Sequence, residues 1–300
     1  MITIVDEADE VVTERLRMIP ALLQQMWIRM LEKDLHLAGY EEIFLLHRLE
    51  RAGLVDVDEG ETHLYLKVKC GKKSWNEYGI PKNPQKRCTL ERMLLSLAGI
   101  YGVIEKDEFY GVLCDYETVP PCSEVEFNEI VERLGFWDFW TIMEAGDGKT
   151  YISSYCNAVA EEILQKRLKY SVKWYCIFDD EIKDRLELGD WKSAFPVYGK
   201  IFSHLLFECW WDPDSVGELL ERLLKCIAMG MTEQEYFEYI QDSFDGNRIH
   251  LTKKMKKMFR ELRNEFPSAT LKGYTWGEYE KNRRNGYHQL TLFEEDLPFT

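Results

Sequence analysis

The sequence predicts a mainly α-helical protein with small β-ribbons, and residues 88–153 show the pattern most clearly. Three segments place apolar residues three or four positions apart, which is the spacing of one buried helix face. Two short segments rich in aromatic and β-branched residues follow, on either side of a turn-forming run at residues 145–148. Three helices followed by a ribbon is the element order of a winged helix, so we expect a winged-helix-like unit here.

The ends of these three helices are predicted from residues that favour helix termini. The first helix is expected to open at Thr89 and to end before Gly102, because glycine readily adopts the left-handed conformation that follows a helix. A link over residues 103–106 leads to the second helix. Ser123, followed three residues later by a glutamate, forms a capping box that opens the third helix, and Gly135 is expected to close it.

The N-terminal part of the chain predicts a second unit of helices and a ribbon. Residues 12–33 form a helical stretch that Pro20 can interrupt, since proline suits the first turn of a helix. Residues 40–52 form another helix, and residues 54–70 have the pattern of strand, turn and strand. We therefore expect a winged-helix-like unit here as well.

A short internal similarity supports a tandem arrangement of these two units. Residues 50–54 and 132–136 each place glutamate, arginine and glycine in the same order before a ribbon. The predicted domains are an N-terminal winged-helix-like unit (1–70), a basic linker (71–87), a central winged-helix-like unit (88–153), an α-helical domain (154–280) and a C-terminal tail (281–300).

The α-helical domain is predicted from helix-start signals and short connections. Asp212 and Pro213 place an N-cap directly before a first-turn proline. Thr232 and Glu235 form a second capping box. Successive helices joined by short connections indicate an antiparallel α-helical domain.

Composition restricts the functional classes. The 300 residues carry a net charge of −15, which disfavours general binding to nucleic acid because such binding depends mainly on phosphate neutralisation. The sequence has no signal peptide and no apolar run long enough to span a membrane, so we expect a cytoplasmic protein. The eight cysteines and six histidines have no ligand spacing, and no catalytic or cofactor motif occurs. We expect no metal and no cofactor, and a non-enzymatic protein is favoured.

Two basic stretches are candidates for contact with nucleic acid. The first surrounds the linker and contains Lys67, Lys69, Lys72, Lys73, Lys82, Lys86 and Arg87. The second is one face of a helix over residues 252–266 and contains Lys253, Lys256, Lys257 and Arg260. For both stretches the favoured explanation is a solvated surface that offsets the acidic residues of the protein.

The third helix of the central unit carries the opposite charge. In a winged helix this helix would enter the major groove of DNA. Here it has Glu124, Glu126, Glu129 and Glu132 and a single arginine, Arg133, so it would repel phosphates. We therefore expect this helix to contact protein or to contact no partner.

The C-terminal tail contains a recognisable peptide pattern in Gln289, Leu290, Leu292 and Phe293. This run resembles the Gln-Leu-x-Leu-Phe peptide by which bacterial replication and repair proteins bind the sliding clamp. An extended tail could offer such apolar anchors to a partner at little cost to the fold. The alternative is that these side chains pack on the protein's own helices.

A family resemblance extends over more than half of the chain. It is carried by Tyr101-Gly102-Val103-Ile104, by Glu108-Phe109-Tyr110 and by the run from Leu271 to Glu278. These motifs resemble an uncharacterised bacterial family, mostly from Firmicutes, whose members often end in a SEC-C zinc module. The chain departs from that family at Tyr274 and Trp276, and no zinc-binding cysteine pair follows, so the resemblance implies no zinc site.

These observations predict a non-enzymatic protein-interaction or adaptor protein of bacterial or mobile-element origin. We expect a protein partner, with the sliding clamp as one candidate. The alternative is a nucleic-acid-associated replication or regulatory factor that uses the basic stretches together with the tail.

Overall fold

The structure, a computed structural model, describes residues 2–5, 10–32, 40–59, 64–69, 85–116, 122–170, 172–175, 180–242 and 251–284. These residues are mainly helical with small β elements, as predicted, and each predicted ribbon is part of a three-stranded sheet. The chain divides into two compact units. The first unit contains Met1–Leu94 and Thr118–Trp140, and the second contains Leu95–Glu117 and Thr141–Thr300.

The elements in chain order are β1 (Ile2–Val5), α1 (Glu10–Arg17), α2 (Ala21–Leu31), α3 (Tyr40–Arg51), β2 (Val55–Glu59), β3 (Leu64–Lys69), α4 (Gln85–Tyr101), β4 (Val103–Glu105), α5 (Lys106–Cys114), α6 (Glu124–Phe136), β5 (Thr141–Glu144), β6 (Thr150–Ser153), α7 (Asn157–Arg167), α8 (Asp180–Leu188), α9 (Pro196–Ser203), α10 (Pro213–Ala228), α11 (Glu233–Asp242), α12 (Lys253–Glu265) and α13 (Trp276–Arg284). Short 3₁₀ turns lie at Trp191–Ala194 and Ala269–Leu271, and a π-helical turn lies at His204–Glu208.

The sheet of the first unit has β3 at its centre. β2 pairs with β3 in the antiparallel sense, as the predicted ribbon requires. β1 lies on the other side of β3 and runs parallel to it, with Ile2 opposite Leu66. The sequence analysis did not identify β1, because this strand has only four residues and its hydrogen-bonding partner lies some 60 residues further along the chain.

Pro20 separates α1 from α2, as the sequence predicts. Proline has no side chain that could accept hydrogen bonds from the first turn of α2, so those backbone N–H groups need another acceptor. The buried carboxylate of Glu91, in α4, supplies it: Ala21 N and Leu22 N each donate to one of its oxygens at 2.9 Å. A side chain about 70 positions away therefore caps α2.

The ends of α4 and α6 differ from the prediction. α4 begins at Gln85, four residues before Thr89, because the polar residues ahead of the apolar stripe continue the helix. Ser123 caps α6 as expected, accepting from Glu126 N at 3.2 Å. However, α6 continues through Gly135 to Phe136, and the left-handed residue is Asp138, with φ of 56°.

The sheet of the second unit has the strand order β4–β6–β5. β5 and β6 form the predicted hairpin, whose turn contains Gly148 at φ of 77°. β4 pairs with β6 in the antiparallel sense, so residues 103–105, which the sequence analysis described as a link, are a strand. The preceding Gly102 has φ of 68°, as its predicted role requires.

The helices of the second unit enclose an apolar core, and their starts agree with the predicted caps. Asp212 accepts from Ser215 N at 2.9 Å at the start of α10. Thr232 and Glu235 form the complete capping box at the start of α11, each side chain accepting from the other residue's backbone N–H. The core contains Leu220, Leu223, Tyr236, Phe259 and Leu262, each almost fully buried.

Among the described helices, none is both long and apolar enough to cross a membrane.

Candidate functional site

The acidic surface of α6 is exposed. Glu124, Glu129 and Glu132 are exposed, and Glu126 is half-buried, whereas the apolar side of the helix is in the core. Val125 lies between two of these acids and is 70% exposed, which is high for a large apolar side chain. The helix therefore presents carboxylates around an exposed apolar group.

The first basic stretch is only partly described, and its described residues mostly contact other groups. Lys69, in β3, pairs with Asp56 at 3.1 Å. Arg87, in α4, lies 3.6 Å from carboxylate oxygens of both Glu91 and Glu129. Lys67 is half-buried in β3, and Lys86 is exposed at the start of α4. Lys72, Lys73 and Lys82 lie outside the described residues.

The basic face of α12 is interrupted by carboxylates. Arg260 binds Glu233 through two nitrogens, at 2.6 and 2.8 Å, and Lys254 pairs with Glu208 at 2.6 Å. Lys257 lies 3.7 Å from Glu261 on its own helix. Lys253 is exposed and Lys256 is half-buried. These ion pairs agree with the explanation that the face offsets the protein's own acidic residues.

The predicted tail site cannot be placed in the fold. Gln289, Leu290, Leu292 and Phe293 lie outside the described residues, so their clamp-binding role stays a prediction.

A pocket of about 150 Å³ in the first unit was not predicted, and it is lined by three arginines. Its lining consists of Arg15 from α1, Arg48 and Arg51 from α3, and Ala52, Trp137 and Asp138. The indole of Trp137 is almost fully buried.

Two of these arginines are held in place by the C-terminal end of α6 and by aromatic rings. Arg48 donates to Trp137 O at 2.6 Å, and its guanidinium carbon lies 4.3 Å from the ring centre of Phe139. Arg15 lies 4.8 Å from the ring centre of Phe136 and donates to the carbonyl of that residue at 3.5 Å. Cationic side chains often bind the last carbonyls of a helix in this way, so part of this arrangement supports the fold.

Two of the lining residues carry a buried donor that these structural contacts do not use. Arg48 Nε and Trp137 Nε1 are buried and have no hydrogen-bond acceptor among the described residues. Burial lowers the pKa of Arg48, the carboxylate of Asp138 opposes that shift, and the charge of Arg51 adds to it. Three guanidinium groups and one carboxylate leave the lining with a formal charge of +2.

The pocket could not be predicted from sequence patterns, because its residues come from three distant parts of the chain. Arg48 and Arg51 are three positions apart near the end of a helix, where cations are common for electrostatic reasons. The only local signal was this basic pair in a strongly acidic protein.

The π-helical turn brings together a thiol, an imidazole and a carboxylate. Cys209 Sγ lies 3.7 Å from His204 Nε2, and His204 Nδ1 lies 3.0 Å from Glu208. Cys209 N donates to His204 O at 3.1 Å, the five-residue hydrogen bond of a π-turn, so residues five apart face the same side. Helical spacing could not predict this contact. Glu208 is also bound by Lys254.

A buried arginine in the second unit, Arg167, contacts the first of the segments that carry the family resemblance. Arg167 donates to the carbonyls of Tyr101, Val103 and Ala269 at 2.5 to 2.8 Å. Burial lowers its pKa to about 9. The ring of Trp174 lies 4.9 Å from its guanidinium carbon. This site joins the turn after α4 to the turn before α13, which is a structural role.

The described residues contain no group of three or more histidine, cysteine, aspartate or glutamate side chains that could hold a metal ion. Comparison of the chain with models of protein families, with curated proteins and with solved structures finds no match. The resemblance to the SEC-C-associated family therefore stays a prediction.

Proposed function

We propose that this chain is a non-enzymatic interaction protein that uses the exposed acidic surface of α6 to bind a protein presenting basic residues. The observation that carries the proposal is the set of exposed carboxylates around Val125. Carboxylates next to an exposed apolar side chain suit a partner with complementary charge and an apolar contact, because opposite potentials favour association. The same carboxylates repel a phosphate backbone.

The proposal includes winged-helix-like architecture. The order α4, β4, α5, α6, β5, β6 and the strand order β4–β6–β5 support this part for the central region. α6 is grouped with the first compact unit and the sheet with the second. In the N-terminal region, the parallel pairing of β1 with β3 gives a different sheet, so the support is weaker there.

The test is crosslinking from α6 in living bacterial cells. A photoreactive residue at position 125 should crosslink to a basic protein, and Glu124→Lys with Glu132→Lys should abolish this product. The control is Glu161→Lys with Glu181→Lys, which makes the same change of charge at exposed positions outside α6. Equal crosslinking in both double variants would contradict the proposed role of the acidic surface.

A duplex-binding measurement separates this proposal from the nucleic-acid alternative. We expect no saturable binding to duplex DNA of about two helical turns at an ionic strength of about 0.15 M, because the net charge is −15 and several side chains of the basic stretches, among them Lys69, Lys254 and Arg260, already pair with carboxylates. Saturable binding that is lost when Lys253 and Lys256 are both changed to glutamine would favour the alternative.

A further inference from the structure

We infer that the arginine pocket of the first unit is a binding site for a tetrahedral, doubly charged oxyanion of the phosphate class. This inference is independent of the proposed interaction function. It rests on the concave lining, on the excess of positive charge and on the exposed guanidinium group of Arg51, which forms no ion pair with any described carboxylate.

The arginines of the pocket have more hydrogen-bond donors than their structural contacts use. A guanidinium group has five N–H donors in a fixed planar arrangement. Arg48 donates one bond to the carbonyl of Trp137, and its buried Nε has no acceptor among the described residues. Arg51 is exposed and forms no ion pair with any described carboxylate, so its whole fork can bind a ligand. An oxyanion in the pocket would supply acceptors for this fork.

Keeping these side chains together without a ligand is unfavourable in free energy. A buried donor without an acceptor costs about 1–3 kcal/mol, and like charges that line one pocket repel. The structure lowers part of this cost by placing Arg15 and Arg48 against aromatic rings and helix-end carbonyls. An anion that binds in the pocket reduces the repulsion that remains among the arginines.

The charge of the pocket lining indicates the charge of the ligand. The lining has a formal charge of +2, because Asp138 offsets one of the three arginines. A doubly charged anion neutralises this excess, whereas a single carboxylate leaves half of it. Asp138 is exposed, and its carboxylate would repel an anion that approaches from its side. Four donor groups around a small pocket also suit an anion with several oxygens.

Titration of the whole protein with inorganic phosphate tests the inference. The chloride concentration is adjusted at each point so that the ionic strength stays constant. We expect saturable binding by calorimetry and a rise in the melting temperature. Arg51→Gln should weaken phosphate binding by about tenfold or more, the effect of losing one charge-assisted contact. Arg17→Gln is the matched control, because Arg17 is an exposed arginine in the same unit that does not line the pocket.

The choice of Arg51 keeps the result interpretable, since this side chain forms no ion pair within the described structure. Arg48→Gln serves as a second variant and should weaken binding further. An equal effect of phosphate on the wild type, Arg51→Gln and Arg17→Gln would overturn the inference, because the anion would then act only through general screening. Acetate that binds as tightly as phosphate would overturn the assignment to the phosphate class.

Discussion

At the scale of the residue, Gly102 shows how one position is constrained twice. Its φ of 68° lies in the left-handed region, where a side chain is disfavoured. A Cβ atom there would also lie 2.5 Å from Cβ of Ala269 and 2.9 Å from the ring of Tyr155. Gly148 has a similar φ of 77°, but an added Cβ would have no heavy atom within 4 Å.

We therefore expect Gly102→Ala to destabilise the protein much more than Gly148→Ala. The backbone conformation alone should cost about 1–2 kcal/mol in each variant, and the overpacking at position 102 should add about 1–3 kcal/mol. Urea unfolding of both variants measures the difference in the free energy of unfolding. Equal losses would show that the surroundings of Gly102 can move aside.

At the scale of the element, the start of α2 depends on Glu91. The carboxylate accepts two backbone N–H bonds and lies 3.6 Å from Arg87. These contacts lower its pKa, but complete burial raises it more, and the pKa is raised to about 7. The folded protein therefore holds a proton at Glu91 over a range in which the unfolded chain does not.

The expected consequence is a pH-dependent stability. In the unfolded chain the pKa of Glu91 is 4.5, so the protonated carboxyl gives its full stabilising effect below pH 4.5. Between pH 4.5 and about 7 the unfolded chain has released the proton that the folded protein still holds. The free energy of unfolding therefore falls by up to about 1.4 kcal/mol per pH unit as the pH rises. In Glu91→Gln this part of the slope should disappear.

Urea midpoints measured across this pH range provide the check. Glu124→Gln is the control, because it makes the same substitution at an exposed glutamate. Identical slopes for the wild type and Glu91→Gln would show that Glu91 does not titrate in this range.

At the scale of the whole molecule, the order of the chain does not match the compact units. α6 belongs to the first unit and β5 to the second, although only four residues separate them in the sequence. Within the first unit, α6 is held by Arg133, which donates to the carbonyl of Arg17, and by Arg48 at its C-terminal end. Neighbours in sequence therefore belong to different packed cores.

We expect amide hydrogen exchange to reveal this division. Gly102→Ala, which damages the second unit, should reduce protection of the β4, β5 and β6 amides more than that of the α6 amides, because local opening follows the packed unit. Mass spectrometry of peptides from the wild type and the variant measures this. An equal loss of protection in α6 and in β5 would mean that the units open together.

Most helices could be predicted from the sequence, whereas the arginine pocket could not. Asp212, Ser123 and Thr232 act on N–H groups three residues away, so their roles are visible in a short window of sequence. Gly135 shows the limit of such rules: it has the right type for a helix end, yet α6 continues past it to a left-handed Asp138.

Local sequence patterns predicted most of the helices, the strands β2, β3, β5 and β6, most of the helix caps and the acidic character of α6, but not the strands β1 and β4. These properties depend on residues within about one helical turn of each other. The tertiary structure alone decided that Glu91 caps α2, that Arg167 joins two turns, and that Arg15, Arg48 and Arg51 share one pocket. Such contacts depend on how distant segments pack, and this packing cannot be predicted from the spacing of residues within one segment.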